Sequence, residues 1–337
     1  MDKKRIGLAL SGGGMRAALF HMGVLKYIAE KEKFAEITSI STVSGASLVI
    51  AVIFAIAGKW PSGQEYLNAL PAIRQLILEH NIQRAALRRL PFSPHFWRKR
   101  VKLLAKVLEE KWQIHGNLQD LPTFPFWEIN CTTFETGSNF RFRRDYMGDA
   151  KIGYVQRPLL PISHVIAASS AFPVLIGPHI LETSGLKFTK EKHGGPLMEV
   201  SPRYTLWDGG VFDNLGMEAL TSPQGGLDEE IDYLIVSNAG QELRWQKRQG
   251  NISIANLRRL LDISMNQVNR LREEQLLSTI VKHGQGMYVK IGTATKGISA
   301  KELSRICQYP TTLNSPSGFD FDLLLRHGYE AASYLGF

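Results

Sequence analysis

Between Glu36 and Ala57 the chain passes from a run rich in β-branched residues to a run without a polar side chain, and Ser44 stands where they meet. Ile37, Thr38, Ile40, Thr42 and Val43 favour a pleated strand. Leu48–Ala57 is unbroken in its apolar character, long enough for a buried helix and about half of what a bilayer crossing needs. Gly45 and Ala46 leave room for a tight turn. The spacing predicts a strand over Glu36–Val43, a sharp corner and a helix over Gly45–Gly58. A serine at such a corner is lifted out of the strand, with its hydroxyl at the positive end of the helix dipole, where a nucleophile is activated. The same residue types describe a serine that merely caps the helix, and the corner alone does not separate the two.

An earlier stretch has the same form. Arg5–Leu10 reads as a buried strand, Ser11-Gly12-Gly13-Gly14 as a glycine turn, and Arg16–Lys31 as a helix with Leu19, Val24, Leu25 and Ile28 on its apolar positions. The βαβα order implies a parallel sheet with helices packed on it. Strands are predicted at Phe126–Thr132, with Phe140–Arg144 as a hairpin arm, and at Tyr204–Trp207, Ile231–Ser237 and Gly286–Ile291. The apolar centre Tyr233–Val236 suits a central parallel strand. Helices are predicted at Ile162–Ser170, Asp213–Ala219, Asn256–Val281 and Phe321–Leu335, and 181–203 reads as loop. No strand pattern interrupts 64–115. The expectation is one α/β domain over residues 1–337, with a mostly parallel central sheet, a helical insertion at about 60–120 and a helix–strand–helix extension at about 250–337.

With 337 residues, 44% hydrophobic and 21% charged, the chain has the make-up of a globular protein with a large core. Two cysteines make no disulfide framework and point to a reducing compartment. The basic start is followed by too short an apolar run, Ile6–Leu10, for an export signal. A cytoplasmic location with at most peripheral membrane contact is expected. The net charge of +9 is local. Arg84, Arg88, Arg89, Arg98, Lys99, Arg100, Lys102 and Lys106 fall in a segment without an acidic residue. Within it, Phe96, Trp97, Arg98, Lys99 and Arg100 combine cations with aromatics, as an anionic membrane interface would favour. A solvated basic face with its aromatics turned inward fits the same pattern. No nucleic-acid-binding motif accompanies the charge, and nucleic acid is not expected as a partner.

Two further stretches carry candidate chemistry. Gly12-Gly13-Gly14 lets backbone N–H groups crowd toward an anion ahead of a helix. With Ala17 it also fits a dinucleotide fingerprint, so a nucleotide-binding protein stays open. That reading needs an acidic residue at the end of the second strand, which instead ends Ser41-Thr42-Val43-Ser44. Asp208-Gly209-Gly210, after a short strand, lets a carboxylate project from a tight loop, though Asp-Gly is also an ordinary turn signal. His21 and His164 read as structural. No HExxH motif and no paired CxxC motif suggests a metal.

In this order, Gly12-Gly13-Gly14-Met15-Arg16, the corner at Ser44, Ala167-Ala168-Ser169-Ser170-Ala171-Phe172-Pro173 and Asp208-Gly209-Gly210 resemble the patatin-like phospholipase family, and the later strand Ile231–Ala239 and helix Asn266–Leu276 look like its bacterial branch. The family often has glycine where this chain has Ala17, Thr42 and Ala46. The resemblance implies a three-layer α/β/α sandwich and a lipid acyl hydrolase of phospholipase A or lysophospholipase type. It implies a Ser44–Asp208 dyad in place of a triad, working through an acyl-enzyme. It implies an oxyanion hole from Gly12, Gly13 and Gly14, with Arg16, Gly45, Gly209 and Gly210 in support, and neither metal nor cofactor. The expected substrate is a membrane phospholipid or lysophospholipid at an anionic surface. A latent membrane-degrading effector, woken by a partner or ligand, is the variant of this reading.

Overall fold

The computed structural model describes residues 4–89, 96–173, 176–190, 195, 200–222, 224–243, 245 and 253–336, the side chains of 96–99 and 254 excepted. The first half runs β1 (Ile6–Leu10), α1 (Gly14–Glu30), β2 (Ile37–Thr42), α2 (Gly45–Ala57), α3 (Gly63–Glu79), α4 (Ile82–Arg88), α5 (Phe96–Trp112), β3 (Phe126–Thr133), β4 (Asn139–Phe142), β5 (Tyr146–Asp149) and β6 (Gly153–Gln156). The second runs α6 (Ile162–Ser169), β7 (His179–Glu182), β8 (Phe188–Thr189), β9 (Arg203–Asp208), α7 (Gly210–Asp213), β10 (Tyr233–Asn238), α8 (Ile254–Thr279), β11 (Gly286–Lys290), α9 (Ala300–Gln308) and α10 (Gly318–Leu335).

The eleven strands of the described residues join one sheet, in the order β11-β10-β1-β2-β3-β4-β5-β6-β8, with β9 paired to β3 and β7 off that path. From β11 to β3 every pair is parallel. Beyond β3 the pairs are antiparallel. The architecture is mixed α/β, a sheet parallel through its centre with helices around it. Strand alternation divides the apolar residues between the two faces. Leu8, Leu10 and Ile235 join the larger core with α1, α2 and α10, whereas Ala9, Leu234 and Val236 pack with Leu215, Met217, Leu220, Leu276 and Ile280 on the other face. Covered faces on both sides explain why β1 and β10 read as nearly continuous apolar runs. Residues 45–54 of α2 are all buried, at about 2 kcal/mol for each large side chain taken from water, so the helix that follows Ser44 is firmly seated.

Helices α1 and α10 cross at backbone contact. A Cβ on Gly23 would stand 1.9 Å from Leu325 O, and one on Gly328 would stand 1.9 Å from Phe20 O. This crossing brings the C-terminal segment over the start of α1, where Met15 N–H donates to Thr312 O at 2.7 Å.

Three sequence expectations need correction. The predicted helix Asp213–Ala219 is instead the end of α7, a turn and a short 3₁₀ segment, Glu218–Leu220. Gly216, at φ 69°, breaks it, and the Asp213 carboxylate takes the N–H groups of Leu215 and Glu218. The span 181–203, expected as loop, holds the end of β7, which pairs with β9, and β8, which pairs with β6. Helix α9 was not anticipated, although Ser299 and Glu302 form a capping box and S-x-x-E is its sequence sign.

Candidate active site

Strand β3 outruns β2. Ser39–Thr42 pair in parallel with Phe126–Ile129. Beyond that point the same edge of β3 is taken by β9, antiparallel, with Cys131 opposite Asp208; β4 occupies the other edge. Strands β2 and β9 therefore point at each other end to end. The gap between Ile129 and Cys131 is roughly 7 Å along the strand. Ser44, just past the tip of β2, and Asp208, at the tip of β9, meet across it, close enough for the Ser44 hydroxyl to hold the pKa of the Asp208 carboxylate down.

Ser44 has φ 54° and ψ −116° and makes no side-chain capping bond to α2. It occupies the cap position without doing a cap's work. A non-glycine residue there costs about 1–3 kcal/mol, so the surroundings must hold it. Gly45 lets α2 press on the glycine loop, since a Cβ there would lie 2.0 Å from Gly14 O. Behind the corner runs a hydrogen-bonded relay. Trp127 Nε1–H donates to Thr42 Oγ1 at 2.9 Å. Thr42 Oγ1 and Ser47 Oγ are 2.9 Å apart, and Ser47 Oγ and Ser169 Oγ 3.0 Å. Ser169 Oγ donates to Asn130 O at 2.8 Å and accepts Ser44 N–H at 3.1 Å. An indole N–H can only donate and a carbonyl only accept, so every hydroxyl in the relay donates toward Asn130. Thr42, one of the departures from family glycine, is a working member of it.

Asp208 is 3% exposed. Burial pushes its pKa up to about 6, against the opposing effect of the Gly210 N–H hydrogen bond and the Ser44 hydroxyl. Its own backbone is clamped, N–H to Ala171 O at 3.1 Å and carbonyl to Thr132 Oγ1 at 3.0 Å. Gly209 and Gly210 are needed for space, because added Cβ atoms would stand 2.6 Å from Asn130 O and 2.7 Å from Asn214 Oδ1.

The glycine loop requires one correction. Gly12 N–H donates to Asn214 O at 3.1 Å, so it is not available as an oxyanion donor, and Gly12 contributes by its lack of bulk. Gly13 and Gly14 open α1, where amide N–H groups have no acceptor within the helix. Both hold positive φ, 147° and 63°. The amides of Gly12 and Met15, which a bound pyrophosphate would need, are already taken by Asn214 O and Thr312 O.

Arg16 is buried and donates to Ala239 O at 3.0 Å and Tyr309 O at 2.8 Å, tying the end of β10 and the C-terminal segment to the loop. His21 is fully buried between Ser11 O at 2.9 Å and Ser237 Oγ at 2.8 Å, and burial lowers its pKa to about 4. His164 lies in the first turn of α6 near Lys102 and Glu109, and burial holds its pKa below the ordinary value. The side chains of Phe96, Trp97, Arg98 and Lys99 lie outside the described residues; burial lowers the pKa of Arg100. Among the described residues no helix is long and apolar enough to cross a membrane.

Sequence reasoning missed Ser169, Asn130 and Thr132. Ser169 falls in the predicted helix Ile162–Ser170, where nothing in the sequence sets its hydroxyl apart. Asn130 had a signal, a lone amide in the apolar strand Ile129-Asn130-Cys131; it donates to Ser41 Oγ at 2.8 Å and Thr42 O at 2.9 Å.

A family model described as patatin-like phospholipase matches residues 8–221. No curated protein matches the chain in sequence. Among solved structures, human GIVD cytosolic phospholipase A2 superposes with a TM-score of 0.59 at 15% identity, over 98% of this chain and 58% of that one. The complex of human GIVD cytosolic phospholipase A2 with methyl gamma-linolenyl fluorophosphonate gives 0.53 at 14% identity, over 98% and 57%. This chain thus spans under two thirds of the length of those structures, and the likeness is one of fold.

Proposed function

The chain belongs to the patatin-like phospholipase family, and from that premise we propose that it is a lipid acyl hydrolase of phospholipase A or lysophospholipase type, with Ser44 as nucleophile and Asp208 as base. The observation that carries the reading is the meeting of a strained serine with a buried carboxylate whose pKa lies near 6. Such a carboxylate is ionised at neutral pH yet more basic than an exposed one, which suits a general base.

Asp208 takes the Ser44 proton as Oγ attacks the acyl carbonyl of a membrane glycerolipid. The N–H groups of Gly13 and Gly14 receive the developing oxyanion, an interaction of ~3–4 kcal/mol for each well-placed donor. Asp208 then protonates the departing glycerol oxygen, leaving an acyl-enzyme on Ser44. In the second half Asp208 deprotonates a water as it attacks the acyl carbonyl, then returns that proton to Ser44 Oγ as the C–O bond to the serine breaks and the fatty acid leaves. No histidine enters.

A fluorophosphonate lipid analogue, followed by peptide mapping, tests the nucleophile. The expected adduct is on Ser44, with none in Ser44→Ala. An adduct on another serine, or fatty-acid release from labelled vesicles by Ser44→Ala, sinks the proposal.

A further inference from the structure

Helix α8 leaves an apolar stripe facing solvent. Leu257, Leu260 and Leu271 are 65%, 61% and 65% exposed, and Ile263 and Val268 are exposed beside them. At about 100° per residue these five fall within one arc of roughly 140°. Arg259 and Arg270 lie at one margin of the arc; Arg258 and Arg272, past the other, turn toward the protein, and Asp262 and Glu273 fall on the opposite side. Glu274 closes the stripe at its C-terminal end. An apolar centre with a cationic margin suits a helix lying in a membrane interface. Trp245, 88% exposed, precedes the helix, and an indole is suited to headgroup depth.

The inner side of α8 rests on the two neighbours of Asp208. The Arg258 guanidinium lies 5.7 Å from the Phe172 ring, and Phe172 follows Ala171, whose carbonyl holds Asp208 N–H. The Arg272 guanidinium lies 5.3 Å from the Phe212 ring in α7 and 3.5 Å from Asp213. The stripe is therefore carried at the end of the sheet where the dyad sits.

We propose that the outward face of α8 docks the chain on an anionic lipid bilayer beside the Ser44–Asp208 site, an inference that rests on the lipid hydrolase reading. Docking there lets an acyl ester pass from bilayer to a nearly buried serine without crossing water. Charge selects the bilayer over a second copy of the chain, since two such stripes face to face would bring their arginine margins together.

The test separates docking from turnover by using Ser44→Ala as the parent, with flotation on vesicles of phosphatidylcholine alone or mixed with phosphatidylglycerol. The parent is expected to float with the mixed vesicles and far less with the neutral ones. Combined Leu257→Glu, Leu260→Glu and Leu271→Glu should weaken that binding roughly hundredfold or more, since each buried leucine is worth about tenfold. The same triple substitution in the Ser44 chain should keep its melting temperature and its hydrolysis of a soluble short-chain ester, because the three side chains touch solvent. Triple-variant binding equal to the parent's, or a parent that floats with neither vesicle, overturns the proposal. So does a parent dimer that the triple substitution dissociates, which makes a second copy the occupant. Failure of the fluorophosphonate to label Ser44 in the unsubstituted chain, with vesicle binding intact, would count against the hydrolase chemistry and leave the docking face standing.

Discussion

The amide of Ser44 donates to the hydroxyl of Ser169, 3.1 Å away, and that hydroxyl gives its own proton to Asn130 O. The strained corner is thus held from behind by α6 and β3, at a residue that never faces the dyad. Ser169→Ala leaves the Ser44 N–H and the Ser47 hydroxyl without their acceptor, a loss of about 1–3 kcal/mol in stability. As a positioning residue it should also lower kcat about tenfold or more with KM little changed, and Ser169→Thr should restore part of it. Melting temperature and steady-state kinetics on one substrate check this. A fall in stability with kcat unchanged would make the contact purely structural.

The raised pKa of Asp208 sets the acid side of the pH profile. A base must be ionised to accept the Ser44 proton, so kcat/KM should climb with pH through about 6 and level off above it. The limb should appear with soluble esters as well as vesicles, since it belongs to the free enzyme. A flat profile from pH 5 to 8 (roughly, one unit either side of the limb) would mean another group is the base.

The same burial makes Asp208 a stability liability at neutral pH. Its folded pKa lies above the ordinary 3.8, so between about 4 and 6 the folded state holds the proton more tightly than the unfolded state. Stability from this group is full below about 4 and declines as pH rises through 6, by about 3 kcal/mol in all. Asp208→Asn keeps the Gly210 N–H acceptor and removes the buried charge. It should be inactive and melt above the wild type at pH 8, with the difference vanishing toward pH 4. Thermal melts of both proteins across that range decide it.

Much of this is legible in the sequence, and the reason is local. The β-branched run into Ser44, the apolar run after it and the glycine turn ahead of α1 each state their own conformation. What brings Ser44 and Asp208 together does not, because it depends on β3 being longer than β2 and on β9 filling the remaining edge from the opposite direction. The Ser169 relay was hidden likewise, since its hydroxyl works only once α6 is packed against β2 and β3. The turn at Gly216 defeated a helix expectation because Asp213 satisfies the backbone of its own loop instead of capping a helix.

Gly45 carries the contact between α2 and the glycine loop. Gly45→Ala would drive a Cβ into Gly14 O, and neither backbone can yield without moving a buried helix. The expected loss exceeds ~3 kcal/mol, with activity gone. A Cβ added to Gly58, at φ 68° beyond the end of α2, would meet nothing within 4 Å, so Gly58→Ala should cost about 1 kcal/mol through backbone strain alone and leave turnover intact. Urea unfolding of the pair measures the contrast, and equal losses would show that the close approach at Gly45 does not matter.

The backbone of Ser44 offers a comparison that needs no substrate. At φ 54° and ψ −116° any side chain is strained, and the strain serves only to present the hydroxyl. Ser44→Ala removes the nucleophile and keeps the Cβ, so the strain stays. Ser44→Gly removes both, and glycine is at ease with positive φ. Both variants should be inactive and unlabelled by a fluorophosphonate. Ser44→Gly should nonetheless unfold at higher denaturant than Ser44→Ala, by about 1–2 kcal/mol after glycine's greater loss of chain entropy is counted against it. Equal or lower stability for the glycine variant would mean that the corner is relaxed, and that Ser44 is placed by its neighbours without stored strain.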